Sequence, residues 1–121
     1  MSDVRIGIIG GGLMGRELAA VCGRWLHLVD HPVHPSVVAV ADLDPAAREW
    51  FRQVPTLETL TDSWRDLVDD DSLDVLYIAV PHYLHEEIYT AAARAGRDFL
   101  AEMPFGIDLG ASERTAAAID K

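Results

Sequence analysis

The glycines at positions 10, 12 and 15 constrain this chain more than any other feature, because of what stands on either side of them. Val4-Arg5-Ile6-Gly7-Ile8-Ile9 reads as a buried strand, it runs straight into Gly10-Gly11-Gly12-Leu13-Met14-Gly15, and a helical pattern opens behind that loop. In a strand, loop and helix of G-x-G-x-x-G form, the first glycine makes the tight turn and the second lets backbone approach a pyrophosphate. The third lets helix pack closely on strand, and the helix N-terminus presents free N–H groups and a positive dipole end to phosphates. Gly10, Gly12 and Gly15, with Leu13 and Met14 between them, are therefore candidate dinucleotide-binding residues.

A second landmark is acidic. Val37-Val38-Ala39-Val40-Ala41 reads as the next strand and ends at Asp42. An acid in that place accepts hydrogen bonds from the adenosine ribose hydroxyls and repels a 2′-phosphate, which favours NAD over NADP. The usual separation from the glycines is about 20 residues, and Asp42 lies further along. The reading assigns the surplus to a turn-rich loop, Asp30-His31-Pro32-Val33-His34-Pro35-Ser36. Leu43, rather than Arg or Ser, follows the acid, and both residues are counted with the cofactor site. A mononucleotide or S-adenosylmethionine site on a similar loop is the alternative.

Composition narrows the class. A chain of 121 residues, half of them hydrophobic, is long enough for one domain with a core. It has no run near the roughly 18 apolar residues that a membrane span needs. The start does not resemble a signal peptide, because glycines interrupt the apolar run and a polar helix follows. A cytoplasmic protein is expected. A net charge of −10 argues against nucleic acid, which wants a basic face. Much of that charge lies between Asp66 and Asp74, read as a solvated helix end and turn, since a Ca²⁺ loop needs alternate-position ligands and a central glycine. The single cysteine, Cys22, has no partner in the chain and reads as a small buried helix residue.

Strand and helix continue to alternate. Asp44-Pro45 caps a helix to about Gln53, a short strand is expected around Thr56–Glu58, and Ser63-Trp64-Arg65-Asp66 resembles a capping box opening a helix to about Val68. Asp74–Val80 reads as a buried strand stopped by Pro81. A helix from about Leu84 to Ala95 ends at Gly96, and a strand over Asp98–Glu102 ends before Pro104. Asp108 caps a last helix still running at Lys121. The fold class is therefore α/β, a Rossmann-type doubly wound parallel sheet of strand order 3-2-1-4-5 spanning residues 1–121. Ligands bind at the carboxyl ends of such strands, so the residues after the first, second, fourth and fifth strands matter most.

After the fourth strand come Val80-Pro81-His82-Tyr83-Leu84-His85, and after the fifth come Ala101-Glu102-Met103-Pro104. With these, the chain resembles the Gfo/Idh/MocA oxidoreductases along its whole length as their N-terminal Rossmann domain. Four landmarks carry the resemblance: the Gly10–Gly15 loop, Asp42, the Pro-x-x-x-His stretch from Pro81 to His85, and a Glu-Lys-Pro-like segment from Glu102 to Pro104. The resemblance implies hydride transfer between a nicotinamide and a sugar, polyol or related alcohol. It implies that Val80, Pro81, His82 and His85 border the cofactor, that Glu102 lies near the nicotinamide ribose, and that a cis bond precedes Pro104. It also places Met103 where the family's lysine reaches the nicotinamide and substrate.

Methionine keeps the length of lysine but has no charge and no donor. No interior lysine replaces it; the only one is Lys121. Three explanations stay open: a natural variant using His82, His85 or Arg97, a member that binds cofactor without ordinary turnover, or a replaced lysine. His85 and Met103 are the candidate catalytic positions. The family's C-terminal α/β domain, with its substrate contacts and usual oligomer interface, is not in the sequence, so a fragment boundary within a longer, possible homo-oligomeric chain is expected, inactive on its own. His82, His85 and Glu86 do not have the His-Glu-x-x-His pattern of a metal site. His31 and His34 read as solvated loop residues, and Trp25, Trp50 and Trp64 as packing residues. The leading function is the cofactor domain of an NAD-dependent sugar or polyol oxidoreductase. The alternatives are a non-catalytic NAD-binding or redox-sensing module and a methyltransferase.

Overall fold

Apolar strands that alternate with helices can hide both sheet faces only if helices cover each side. The computed structural model, which describes residues 2–25 and 28–121, shows that arrangement. Its elements are β1 (Ser2–Ile9), α1 (Leu13–Cys22), β2 (Val33–Ala41), α2 (Pro45–Phe51) and β3 (Thr59–Thr61), then α3 (Trp64–Val68), β4 (Val75–Ile78), α4 (His85–Arg94), β5 (Phe99–Ala101) and α5 (Leu109–Ile119). A 3-10 turn, His82–Leu84, leads into α4. The five strands are parallel in the order β3-β2-β1-β4-β5, as read from the sequence.

Successive residues of β1 point to opposite faces, and each face has its own core. Ile8 packs with Ala19, Cys22, Val40, Phe51 and Tyr77 under α1 and α2. Ile9 packs with Leu67, Leu76, Ile78, Ile88 and Tyr89 under α3 and α4. Each fully buried Val, Leu, Ile or Phe among them contributes about 1.5–3 kcal/mol. Burial also pushes the Cys22 thiol up from its ordinary value. Among the described residues, no helix is long and apolar enough to cross a membrane.

Five readings are corrected. β2 starts at Val33 rather than Val37, so the surplus spacing before Asp42 is extra strand rather than loop. Pro35 is tolerated because β3 pairs only with Ala39–Ala41, leaving the outer side of β2 without a partner at Pro35. His34 therefore belongs to a strand, where its Nδ1 lies 3.0 Å from Asp3 and its ring packs on Trp25, with which half-buried His31 also makes an edge contact. β3 falls at Thr59–Thr61, because Thr56 spends its hydroxyl on the Val37 carbonyl at 2.6 Å and Leu57 N–H closes a turn to Val54. Ser63 makes no side-chain cap to α3; Thr61 instead accepts from the Ser63 N–H and donates to Asp66. The last helix closes at Ile119, with Asp120 as its cap residue.

Caps at Asp44 and Asp108 form as expected, accepting from Ala46 and Ala111 N–H at 2.9 and 2.8 Å. Gly96 ends α4 with φ of +73°, a conformation that favours glycine. In the acidic stretch, Asp70 accepts from Ser72, Asp71 pairs with Arg97, and Asp74 accepts from the Arg5 N–H. Asp66 accepts from Thr61, so exposed acids at both ends of the stretch are tied to the fold.

Candidate functional site

At the carboxyl end of the sheet, the β1–α1 loop crosses between β2 and β4. Gly10 N–H donates to the Ala41 carbonyl at 2.9 Å, and Ala79 N–H donates to Ile9 at 2.8 Å, so the loop is pinned from both sides. Gly10 has φ of +104°, and a side chain there would collide with the Ala79 carbonyl. A Cβ on Gly15 would overlap the Gly10 carbonyl oxygen, whereas one on Gly12 would meet nothing within 4 Å. The first and third glycines are thus required by the protein itself. Gly12 faces open space at the N-terminus of α1, where a pyrophosphate fits.

Asp42 is fixed before any ligand arrives. Its Oδ2 accepts from Gly11 N–H at 2.6 Å and its Oδ1 from Asp44 N–H at 2.8 Å, so both oxygens are oriented and each keeps a lone pair for a ribose hydroxyl. Arg48 holds the same turn, donating from Nη1 to the carbonyls of Asp42 at 2.6 Å and Leu43 at 3.1 Å. The sequence reading missed Arg48; its place one turn into α2, below the acid, was the available signal.

Next to Asp42 lies a cleft of about 360 Å³ between the β1, β2 and β4 ends. Its apolar walls include Leu43, Trp64, Val80, Pro81, Tyr83 and Leu84, and its charged lining residues are Asp42, Asp44 and Asp62, with no Lys or Arg among the described residues that form it. Apolar walls with carboxylates at the rim can receive a flat ring and accept from hydroxyl groups. Trp64, Tyr83 and Asp62 were not anticipated, because only the folded chain brings α3 and the turn before α4 beside β2.

Beyond the glycine loop, a smaller cavity of about 150 Å³ is lined by Met14, Ala79, Val80, His82, His85, Glu102 and Met103. The Met103–Pro104 peptide is cis. Met103 is 80% exposed and projects from the end of β5. Tyr77 donates its hydroxyl to the Glu102 carboxylate, and Tyr89 donates to the Glu102 carbonyl at 3.0 Å. Burial, and then the neighbouring Glu102 carboxylate, push the Tyr77 phenol up to about 12; burial above all does the same for Tyr89.

The three candidate stand-ins for the family lysine part company here. Arg97 lies at the other end of β5, donating from Nε to the Val68 carbonyl at 2.7 Å. That placement removes it from the site. His85 is fully buried, with Nδ1 2.6 Å from the Pro104 carbonyl and Nε2 3.1 Å from that of Val80. Both nitrogens face backbone carbonyls, although the ring also lines the small cavity. His82 alone is exposed beside Met103. Glu86 turns away to Arg114 of α5, whose guanidinium holds its carboxyl below the usual range. A groove of about 860 Å³ between the C-terminal ends of α4 and α5 is lined by Arg97 and Arg114 and by none of Met103, His82 and His85.

A glycine-pinned phosphate loop, a fixed acid after β2 and an apolar cleft between them define a dinucleotide-binding Rossmann domain. The family model for the oxidoreductase family with NAD-binding Rossmann fold matches residues 4–121. The chain belongs to that family, the Gfo/Idh/MocA oxidoreductases, and is its NAD-binding domain. Levoglucosan dehydrogenase of Pseudarthrobacter phenanthrenivorans is 32% identical over 105 residues, covering 86% of this chain and 27% of that protein. A structure of levoglucosan dehydrogenase in complex with NADH superposes with a TM-score of 0.88 at 30% identity, covering 98% of this chain and 32% of that one. Myo-inositol 2-dehydrogenase from Lactobacillus plantarum gives a TM-score of 0.80 at 29% identity, covering 98% of this chain and 33% of its own. The chain thus spans about a third of the length of these relatives.

Proposed function

We propose that this domain binds NAD in preference to NADP and serves an oxidoreductase that acts by hydride transfer on a sugar or polyol, in the cytoplasm. The observation that carries the cofactor preference is Asp42, its carboxylate held by two backbone N–H groups at the rim of an apolar cleft whose charged lining, among the described residues, is acidic. The relatives supply the substrate class: the names of two of them are those of a levoglucosan and an inositol dehydrogenase. A bound nicotinamide supplies the hydride acceptor. The chain's own part is to seat the pyrophosphate over Gly12, to receive the ribose hydroxyls on Asp42, and to present Glu102 and Met103 at the nicotinamide end.

Calorimetric titration with NADH, NADPH and S-adenosylmethionine tests this. NADH binds tightest if the reading is right. Two unit charges about 4 Å apart repel by roughly 4 kcal/mol at an effective dielectric of 20, an upper guide to the penalty Asp42 imposes on a 2′-phosphate. Asp42→Ala therefore narrows the gap between NADH and NADPH. Tighter binding of NADPH by the unaltered chain would refute the preference.

Met103 favours a second reading, a domain that binds cofactor without ordinary turnover. A thioether packs against a ring but neither donates a proton nor holds a developing alkoxide. In a protein of the relatives' full length, Met103→Lys should raise kcat by at least about tenfold, towards the roughly 10²–10⁴ that a positioned acid or base supplies, while NADH affinity stays nearly constant. An unchanged kcat would show that another group, with His82 the exposed candidate, moves the proton.

A further inference from the structure

One face of α4 grips both loops of the nicotinamide end. His85 opens the helix, fully buried, with its two ring nitrogens against the carbonyls of Pro104 and Val80 at 2.6 and 3.1 Å. A neutral imidazole has one N–H and donates to one of these carbonyls; an imidazolium donates to both. Tyr89 lies one turn on, stacked on the His85 ring at 4.8 Å between centroids, and donates to the Glu102 carbonyl at 3.0 Å. The backbone is thus held on each side of Met103 and again after β4. A core position that needed only filling would take an apolar side chain, because a buried polar ring costs free energy unless it is hydrogen-bonded. This ring finds its partners in the two segments that line the small cavity.

We infer that His85 is a positioning residue, which joins the Val80 loop to the Glu102–Pro104 segment so that the nicotinamide half of the cofactor meets a fixed surface, with Tyr89 as its second anchor. The inference rests on the dinucleotide reading above and assigns His85 to one half of that ligand. ADP-ribose separates the halves, since it keeps the adenosine and both phosphates and lacks the nicotinamide.

The test is to titrate the unaltered chain, His85→Phe, His85→Gln and Tyr89→Phe with NADH and with ADP-ribose, and to record a melting curve for each. In His85→Phe, NADH affinity should fall about tenfold, as for loss of one or two hydrogen bonds, while ADP-ribose affinity changes less than about twofold. His85→Gln retains an amide with two N–H donors and should recover most of the loss. Tyr89→Phe, which removes only the hydroxyl, should show the same split in milder form, and decides the matter if His85→Phe does not fold. Equal losses for both ligands, or no loss for NADH, would overturn the positioning role. Failure of the unaltered chain to bind NADH would overturn the cofactor reading and this inference with it.

Discussion

Gly12 and Gly15 stand three residues apart and carry opposite liabilities. Helix α1 can approach β1 only because Gly15 has no Cβ to strike the Gly10 carbonyl, so alanine there forces a backbone shift. Overpacking of that kind costs about 1–3 kcal/mol, a fall of several degrees in melting temperature for a domain of this size. Gly12 meets nothing that a methyl would touch, and its φ of −75° is ordinary for any residue. Gly12→Ala should therefore leave stability within about 0.5 kcal/mol while lowering NADH affinity, since the methyl enters the space left for phosphate. Thermal melts and NADH titration of the two variants separate the roles. A Gly12→Ala protein that melts as low as Gly15→Ala, or binds NADH as well as the unaltered chain, would show that the second glycine serves the fold and not the ligand.

Tyr77 on β4 and Tyr89 on α4 act at the scale of elements, because each ties its own element to the end of β5 through Glu102. Both phenols are shifted upward from 10 to about 12, first by burial. A group bound more tightly to its proton in the folded state than in the unfolded one stabilises the fold fully below its unfolded pKa, here about 10, and that stability is lost as pH rises towards 12. Denaturant midpoints should therefore fall steeply between about pH 10 and 12, and less so in Tyr77→Phe. A midpoint flat across that window would remove the link. Neither tyrosine drew attention in the sequence: Tyr77 lies in an apolar strand and Tyr89 in a plain helical stretch. Their spacing from other residues held the clue only for Tyr89, four residues after His85 on one helix face. The glycine loop, Asp42 and the order of elements were legible because each depends on local chain geometry. The start of β2, the place of β3 and the burial of His85 were not, because pairing across the sheet decides them. Pro35 looked like a loop residue until the side of β2 that it faces proved to have no neighbour.

At the scale of the whole molecule, β5 is an edge. Phe99–Ala101 pairs with β4 on one side only, and Leu100 is 56% exposed. Ile107 and Leu109 are exposed on the segment that follows it. A strand edge with open N–H and C=O groups and apolar side chains is a template for pairing with another chain. Against this stands a net charge of −10, which makes copies of the chain repel. The balance depends on salt, because exposed charges are screened within about 10 Å at 0.1 M and about 3 Å at 1 M, whereas backbone pairing and apolar contact are not screened. Sedimentation velocity on the 121-residue chain should accordingly show a monomer at low ionic strength and a concentration-dependent larger species at high ionic strength. Leu100→Lys places a charge on the edge and should hold the chain monomeric at both. A larger species that persists in Leu100→Lys, or that dissociates as salt is raised, would mean that contacts elsewhere, with attractive charge pairs among them, join the copies.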